Sequence, residues 1–388
     1  MRTALLACAA AILAAADPVY ITAFRDPLHA MEAHRLVAAG AELQPVTISV
    51  AGAPDRQVAP IAVPLPGTTW VVQRALIDGL PAGAEVGLRF GDQPATRVRT
   101  VPDPAKLDRP LRVVNGGDTM HKPEWLAKTA KVMCAKDPDL IVLGGDLAYE
   151  DGRNGERVAV WIRTWAESAV APDGRAIPFV SCIGNHEVQG HYNGTPEKAP
   201  FYFAMLPIGA TPLHSVDVGD EISFILLDSG HVTKVAGKQT EWLHGELAAR
   251  SKRPAVIPVY HYPAWPVVKV PKGGKDPSDN EISKQIRANW VPLFEAAGVR
   301  VALEHDQHTY KRTVPLKAGQ PDPTGIIYLG DGAWGVDVRK VFPGLTWLAK
   351  GAEVRHGYLL EIARGGGIAV TAIDEDGTVF DQVSIAPR

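Results

Sequence analysis

A chain of 388 residues with 46% hydrophobic content has room for about two domains of the usual 100 to 200 residues, so a disordered polymer is excluded. Its formal net charge is -3, from 40 basic and 43 acidic side chains, a balance that gives no field to attract a polyanion and argues against nucleic-acid binding. Three cysteines are too few for a disulfide-stapled scaffold.

The start of the chain has the pattern of a secretory signal. Arg2 supplies the positive end, Ala4 to Leu13 the apolar stretch, and Ala14-Ala15-Ala16 a small-residue cleavage site. Residues 1–16 are therefore expected to be removed, giving a secreted or periplasmic protein that starts near Asp17. Leu5-Leu6-Ala7-Cys8 also matches a lipid-attachment pattern, but few apolar residues precede Cys8. No later stretch reaches the roughly 18 to 20 continuous apolar residues of a membrane span. Cys134 and Cys182 would remain after cleavage, and Cys182, inside an apolar run, reads as a small buried thiol.

From residue 17 to 103 the pattern is short and alternating, with strands expected at Val46–Val50, Gln57–Val63, Thr69–Arg74 and Glu85–Arg89 between Gly, Pro and Asp breaks. That spacing is the signature of a small β-sandwich. Pro102–Pro110 reads as a linker. The remainder, 108–388, changes to apolar strands alternating with helical stretches at Glu124–Ala135, Glu156–Ser168, Gln239–Ser251 and Ile282–Ala297, the mark of βα units. The proline-, glycine- and lysine-rich segment Val267–Asp279 is expected to be a loop near His261. Closing antiparallel strands are expected at Tyr358–Ile362, Ile368–Ile373 and Thr378–Ile385.

Six apolar runs in this second region stop at a polar residue able to hold a metal. Arg112–Asn115 leads to Asp118, Leu140–Gly144 to Asp146 and Tyr149, and Phe179–Ile183 to Asn185 and His186. Ile222–Leu227 leads to Asp228, Ala255–Tyr260 to His261, and Val299–Leu303 to His305, Asp306 and His308. Ligands of an open α/β sheet bind beyond the carboxyl ends of its strands, so groups placed there converge. Taken singly each has a plain structural reading, such as a helix cap for Asp146 or a turn for Asn185.

In order, Asp118, Gly145-Asp146-Leu147-Ala148-Tyr149, Gly184-Asn185-His186-Glu187, His261 and Glu304-His305-Asp306-Gln307-His308 resemble the purple acid phosphatases of the metallophosphoesterase superfamily. Leu227-Asp228-Ser229-Gly230 and Gln239-Thr240-Glu241-Trp242-Leu243 extend the likeness. The resemblance implies an α/β fold, a metallophosphoesterase β-sandwich flanked by helices, preceded by a fibronectin type III-like all-β domain over 17–103. It implies Asp118, Asp146, Tyr149 and His308 around a first metal, and Asp146, Asn185, His261 and Asp306 around a second. The ions implied are Fe(III) with a divalent Fe, Mn or Zn. His186 stays free of the metals to assist the leaving group while a metal-bound hydroxide attacks the phosphorus of a small phosphomonoester.

Three departures stand out. Asp306 falls where the family has the first histidine of its terminal motif, with His305 one residue away. An added carboxylate favours harder ions such as Mn or Mg, whereas His305 reaches the position only if the backbone shifts. The family's further histidine after the lone one has no match beyond His261, leaving Lys269, Lys272 or Lys275 as phosphate contacts or as solvated loop lysines. Asp118-Thr119-Met120-His121 lacks the glycine common in the family two residues after the aspartate, and His121 is expected to support the ligands from behind or to lie on the surface, with lining the entrance as the alternative. A phosphodiesterase or nucleotidase on the same centre, or a weakly active metal-dependent binding protein, are the competing expectations.

Overall fold

The computed structural model describes residues 17–24, 26–330 and 332–388; the expected signal and Cys8 lie outside them. Alternation along the strands decides the architecture. Phe224, Leu226, Ile257, Val259, Val301 and Leu303 face one core, while Ile225, Leu227, Val256, Tyr260 and Ala302 face another. A sheet whose two faces are both apolar must be covered on both. Here the seven-stranded sheet packs one face on a ten-stranded sheet and the other on helices Lys238–Ala249, Glu281–Asn289 and Val291–Ala296.

The six motif-bearing runs divide into two parallel triplets. Leu111–Gly116, Leu140–Leu143 and Phe179–Ser181 are adjacent in the ten-stranded sheet, and Ile222–Leu226, Ala255–Val259 and Val301–Glu304 are adjacent in the seven-stranded one. Helices Pro123–Cys134 and Gly155–Ser168 make the crossovers of the first triplet, burying Leu126, Met133, Trp161 and Trp165 in the main core. Parallel neighbours require such crossovers. The mixed α/β arrangement of two packed sheets with few helices is that expected of a metallophosphoesterase.

The N-terminal strands join this frame. Val19–Thr22 pairs in parallel with the Phe179 strand at Thr22, so it, Met31–Ala38, Trp70–Ile77 and Ile61–Pro64 continue the ten-stranded sheet. A separate four-stranded sheet of Arg56–Val58, Val46–Val50, Glu85–Phe90 and Thr96–Arg99 covers their outer face through Ile48, Val86 and Leu88. The single strand expected at Gln57–Val63 is broken at Pro60, and its halves enter different sheets. The single helix expected at Ile282–Ala297 is interrupted at Trp290, because Pro292 has no N–H for the carbonyl four residues back. The three C-terminal strands form where expected, at His356–Ile362, Ile368–Asp374 and Val379–Ile385.

Candidate metal centre

Both triplets end at one place, and the loops that leave them are wound unusually tightly. Asp118, Asp146, Tyr149, Asp306 and His308 have φ of 56°, 53°, 57°, 78° and 58°. Left-handed backbone at a non-glycine residue costs on the order of 1–3 kcal/mol and persists where the surroundings enforce it, typically at functional sites. Asp and His tolerate it better than most residues. Gly184 supports the turn at Asp146, since a Cβ there would lie 2.2 Å from Asp146 Oδ1. Glu187 ties the two motif loops together, accepting from the backbone N–H groups of Asp146 (2.8 Å), Leu147 (2.7 Å) and Gly184 (2.7 Å).

One side of the centre consists of Asp118, Tyr149 and His308. The Tyr149 hydroxyl lies 2.8 Å from Asp118 Oδ1 and 2.9 Å from His308 Nε2, and that nitrogen lies 3.1 Å from the same Oδ1. An ion with bonds of about 2.0–2.2 Å subtends ligand-to-ligand edges of about 3 Å at right angles, so these three atoms fit around one cation. His308 Nδ1–H donates to the Asp337 carbonyl (3.2 Å), which leaves Nε2 for the centre. This is the orienting bond expected behind a metal-bound imidazole.

The other side gathers on His261. Its Nδ1–H donates to the Gly144 carbonyl (2.7 Å), and Nε2 lies 3.0 Å from Asn185 Oδ1, 3.3 Å from Asp146 Oδ2 and 3.7 Å from Asp306 Oδ1. Asp146 faces both sides, and a donor atom from each of Asp118, Asp146 and His261 falls within 4.8 Å of the others. The Asp306 N–H also donates to Asp118 Oδ2 (3.0 Å), while its own Oδ2 accepts from Gln307 (2.6 Å).

These carboxylates need positive charge. Burial opposes ionisation of Asp146, yet His261 and His186 hold its carboxyl below the usual carboxylate range. Burial likewise opposes charge on His261, but Asp146 and Asp118 push its pKa well above that of free imidazole. A proton at His261 Nε2 thus balances the carboxylates of the protein alone, and a cation could take its place. Burial, then Asp118 and Asp146, push the Tyr149 phenol up, so only a strong local positive charge would draw a phenolate from it.

The structure thus brings together all seven positions expected to bear ligands. His186 stands beside them: its N–H donates to Asp146 Oδ1 (2.8 Å), its ring lies 4.4 Å from that of Tyr149, and its Nδ1–H donates to Asp151 Oδ1 (2.5 Å). Burial lowers its pKa, but Asp146 and Asp151 more than offset this and raise it. His305 is turned away, its ring against the Gly117 and Gly144 backbone and its Nδ1–H donating to the Tyr260 carbonyl (3.0 Å). Asp228, at the sixth strand end, does not enter the centre. Its carboxylate accepts from the N–H groups of Gly230, His231, Val232 and Thr233, so it builds its own loop. His121 packs edge-on to the Tyr149 and His308 rings and pairs with Asp337 (2.9 Å). Lys269, Lys272 and Lys275 are exposed.

Three contributors carry no signal strong enough to be found in the sequence: Asp151, Asp337 and Gly332. A Cβ on Gly332 would lie 1.6 Å from Asp118 Oδ2. Asp151 alone stands close to a motif, two residues after Tyr149.

Comparison with known proteins gives the family and the fold. Residues 108–303 match the model of the calcineurin-like phosphoesterase family. Purple acid phosphatase 21 of Arabidopsis thaliana is 25% identical over 236 residues, 58% of this chain and 50% of that protein. Purple acid phosphatase 18 of the same plant is 21% identical over 257 residues, 62% and 53% respectively. The chain thus spans about half the length of the curated relatives it matches. Among solved structures, purple acid phosphatase PPD1 from yellow lupin (Lupinus luteus) seeds superposes with a TM-score of 0.75 at 15% identity, covering 95% of this chain and 74% of that one. PhoD superposes with a TM-score of 0.67 at 11% identity, covering 95% and 91%.

Proposed function

The chain belongs to the calcineurin-like phosphoesterase family as a purple acid phosphatase-like member, and from that premise we propose that it hydrolyses phosphomonoesters at a dinuclear metal centre. The observation that carries the reading is the double triangle of donor atoms described above, Asp118–Tyr149–His308 and Asn185–His261–Asp306, with Asp146 between them. Asp118, Tyr149 and His308 would hold one ion, Asn185, His261 and Asp306 the other, and Asp146 both. When bound, such a pair offsets phosphate charge and supplies a nucleophile at ordinary pH.

The protein's own part is orientation and proton transfer. His186 is fixed at Nδ1 by Asp151, so Nε2 is the position that can carry a proton to the leaving oxygen. Its raised pKa favours the protonated form that a general acid needs. The Tyr149 phenolate would favour a hard trivalent ion, Fe(III), and the Asp306 carboxylate a divalent partner at the hard end of Fe, Zn and Mn. The leader pattern at residues 1–16 supports export. We further propose that 17–103 is a fibronectin type III-like unit whose strands Val19–Thr22, Met31–Ala38, Trp70–Ile77 and Ile61–Pro64 extend the ten-stranded sheet of the catalytic portion, 108–388.

His186→Asn tests the assignment. A lost general acid lowers kcat by about 10²–10⁴-fold, while the two-ion centre keeps its metals because none of its ligands has been removed. Wild-type turnover in this variant would remove His186 from the mechanism. Paired kinetics on a mono- and a diester then fix the substrate class.

A further inference from the structure

Beside the proposed centre, and sharing none of its seven ligand positions, three side chains converge at the rim. Asp151 Oδ1 lies 2.5 Å from His186 Nδ1 and 3.5 Å from His191 Nε2. One donor atom from each of the three residues falls within 4.8 Å of the others. The two imidazoles approach with centroids 4.9 Å apart at 55°. Tetrahedral zinc with bonds of about 2.0–2.1 Å spans donor-to-donor edges of about 3.3 Å, a value that the two measured edges bracket.

The backbone builds this arrangement. Asp151 and His191 both have left-handed φ, 54° and 71°. The Asp151 N–H donates to the His186 carbonyl (2.8 Å), the His191 N–H to the Val188 carbonyl (2.9 Å), and buried His231 donates from Nδ1 to the His191 carbonyl (3.0 Å). The side chains remain partly open to solvent, at 28% for His186, 44% for His191 and 50% for Asp151, which leaves a fourth position for water. Two imidazoles and one carboxylate suit zinc and its neighbours rather than calcium or magnesium.

We propose that Asp151, His186 and His191 form a third, inhibitory site for a zinc-class divalent cation. Binding would displace the Nδ1 proton of His186 to solvent and leave the remaining proton fixed on Nε2. A cation on Nδ1 takes the place of the Asp151 contact that orients the ring, so His186 no longer keeps the orientation it needs to serve the leaving oxygen. Binding itself does not depend on the role proposed for His186 in phosphoester hydrolysis; the inhibition does.

Zn²⁺ is titrated into the metal-loaded holoenzyme at neutral pH, with bound metal counted after equilibrium dialysis and turnover measured in parallel. The wild-type protein should take up one zinc ion beyond its resident metals and lose activity as it fills. His191→Asn keeps a residue that tolerates left-handed backbone but removes the imidazole, and should weaken that uptake by at least about tenfold, the scale of even an outer-sphere loss. His191→Gln, with a longer amide, provides a second variant. Equal zinc uptake in wild type and both variants, or zinc that only replaces resident metal with no net gain in bound ions, would overturn the site. Uptake that depends on His191 but leaves turnover intact would uphold the site and overturn the acid role of His186.

Discussion

The two sides of the centre differ in how much of their geometry the protein supplies by itself. Asp118, Tyr149 and His308 touch one another pairwise at 2.8, 2.9 and 3.1 Å, so that side is closed by its own hydrogen bonds. Asn185 and Asp306 meet through His261, at 3.0 and 3.7 Å, and Asp306 shares an oxygen with Gln307. The first side is preorganised, whereas the second leaves more of its arrangement to the ion. The departure from the family pattern, aspartate for histidine at 306, falls on the more permissive side.

The strongest test of this contrast removes the hub of the closed side. Asp118→Ala deletes the acceptor of Tyr149 and of the Asp306 N–H, and should lower both metal affinity and kcat/KM by more than about 100-fold, above the range for outer-sphere losses. Asp306→His should do far less to turnover, staying within about tenfold, and should move ion preference from Mn toward Zn, since imidazole suits the softer ion. Activity measured after reconstitution with each metal separates the two; equal losses in both variants would erase the contrast. Tyr149→Phe removes the phenol but leaves Asp118 and His308 in contact, so a phenolate-to-iron absorption band expected of the Fe(III)-loaded wild type should be missing from the variant while hydrolysis with a divalent pair persists.

The smallest effect concerns the scaffold away from the centre. Burial pushes His214 down to about 3 and His356 down to about 4, from an ordinary 6.5. The unfolded chain therefore binds these protons before the native one does. Stability should fall as pH drops from 6.5 toward 4, by about 1.4 kcal/mol per pH unit for each histidine at most. His356→Gln should flatten that slope in denaturant titrations, and an unchanged slope would show that His356 is already protonated in the native fold.

The sequence was most legible where a strand ended in a motif. Asp146, Asn185, His261 and His308 each follow an apolar run, and parallel pairing carries such ends to one edge. Asp228 obeys the same pattern and contributes nothing to the centre, because a carboxylate at a strand end can equally be consumed by four amide groups of its own loop. Asp337 and Gly332 act through a carbonyl and through a missing Cβ, and neither leaves a trace in residue pattern. Alternation in the sequence favours Asp306 over His305 but does not fix the choice. That choice depends on which residue the loop turns inward at φ 78°, a property of the surrounding contacts.

The fold followed similar limits. Long amphipathic helices such as Gly155–Ser168 and the C-terminal strands were readable from period alone. The junction of the N-terminal strands with the catalytic portion runs through pairings such as Thr22 with Phe179 and Val98 with Ala176, between residues far apart in the chain, and no local pattern specifies them.

Metal counting on wild type and Asp146→Asn, each purified and then equilibrated with Fe and Mn, tests the central claim most directly. The account predicts two ions per chain in wild type and loss of at least one, together with hydrolysis, when the shared carboxylate becomes an amide. Two firmly held ions and undiminished turnover in Asp146→Asn would contradict it.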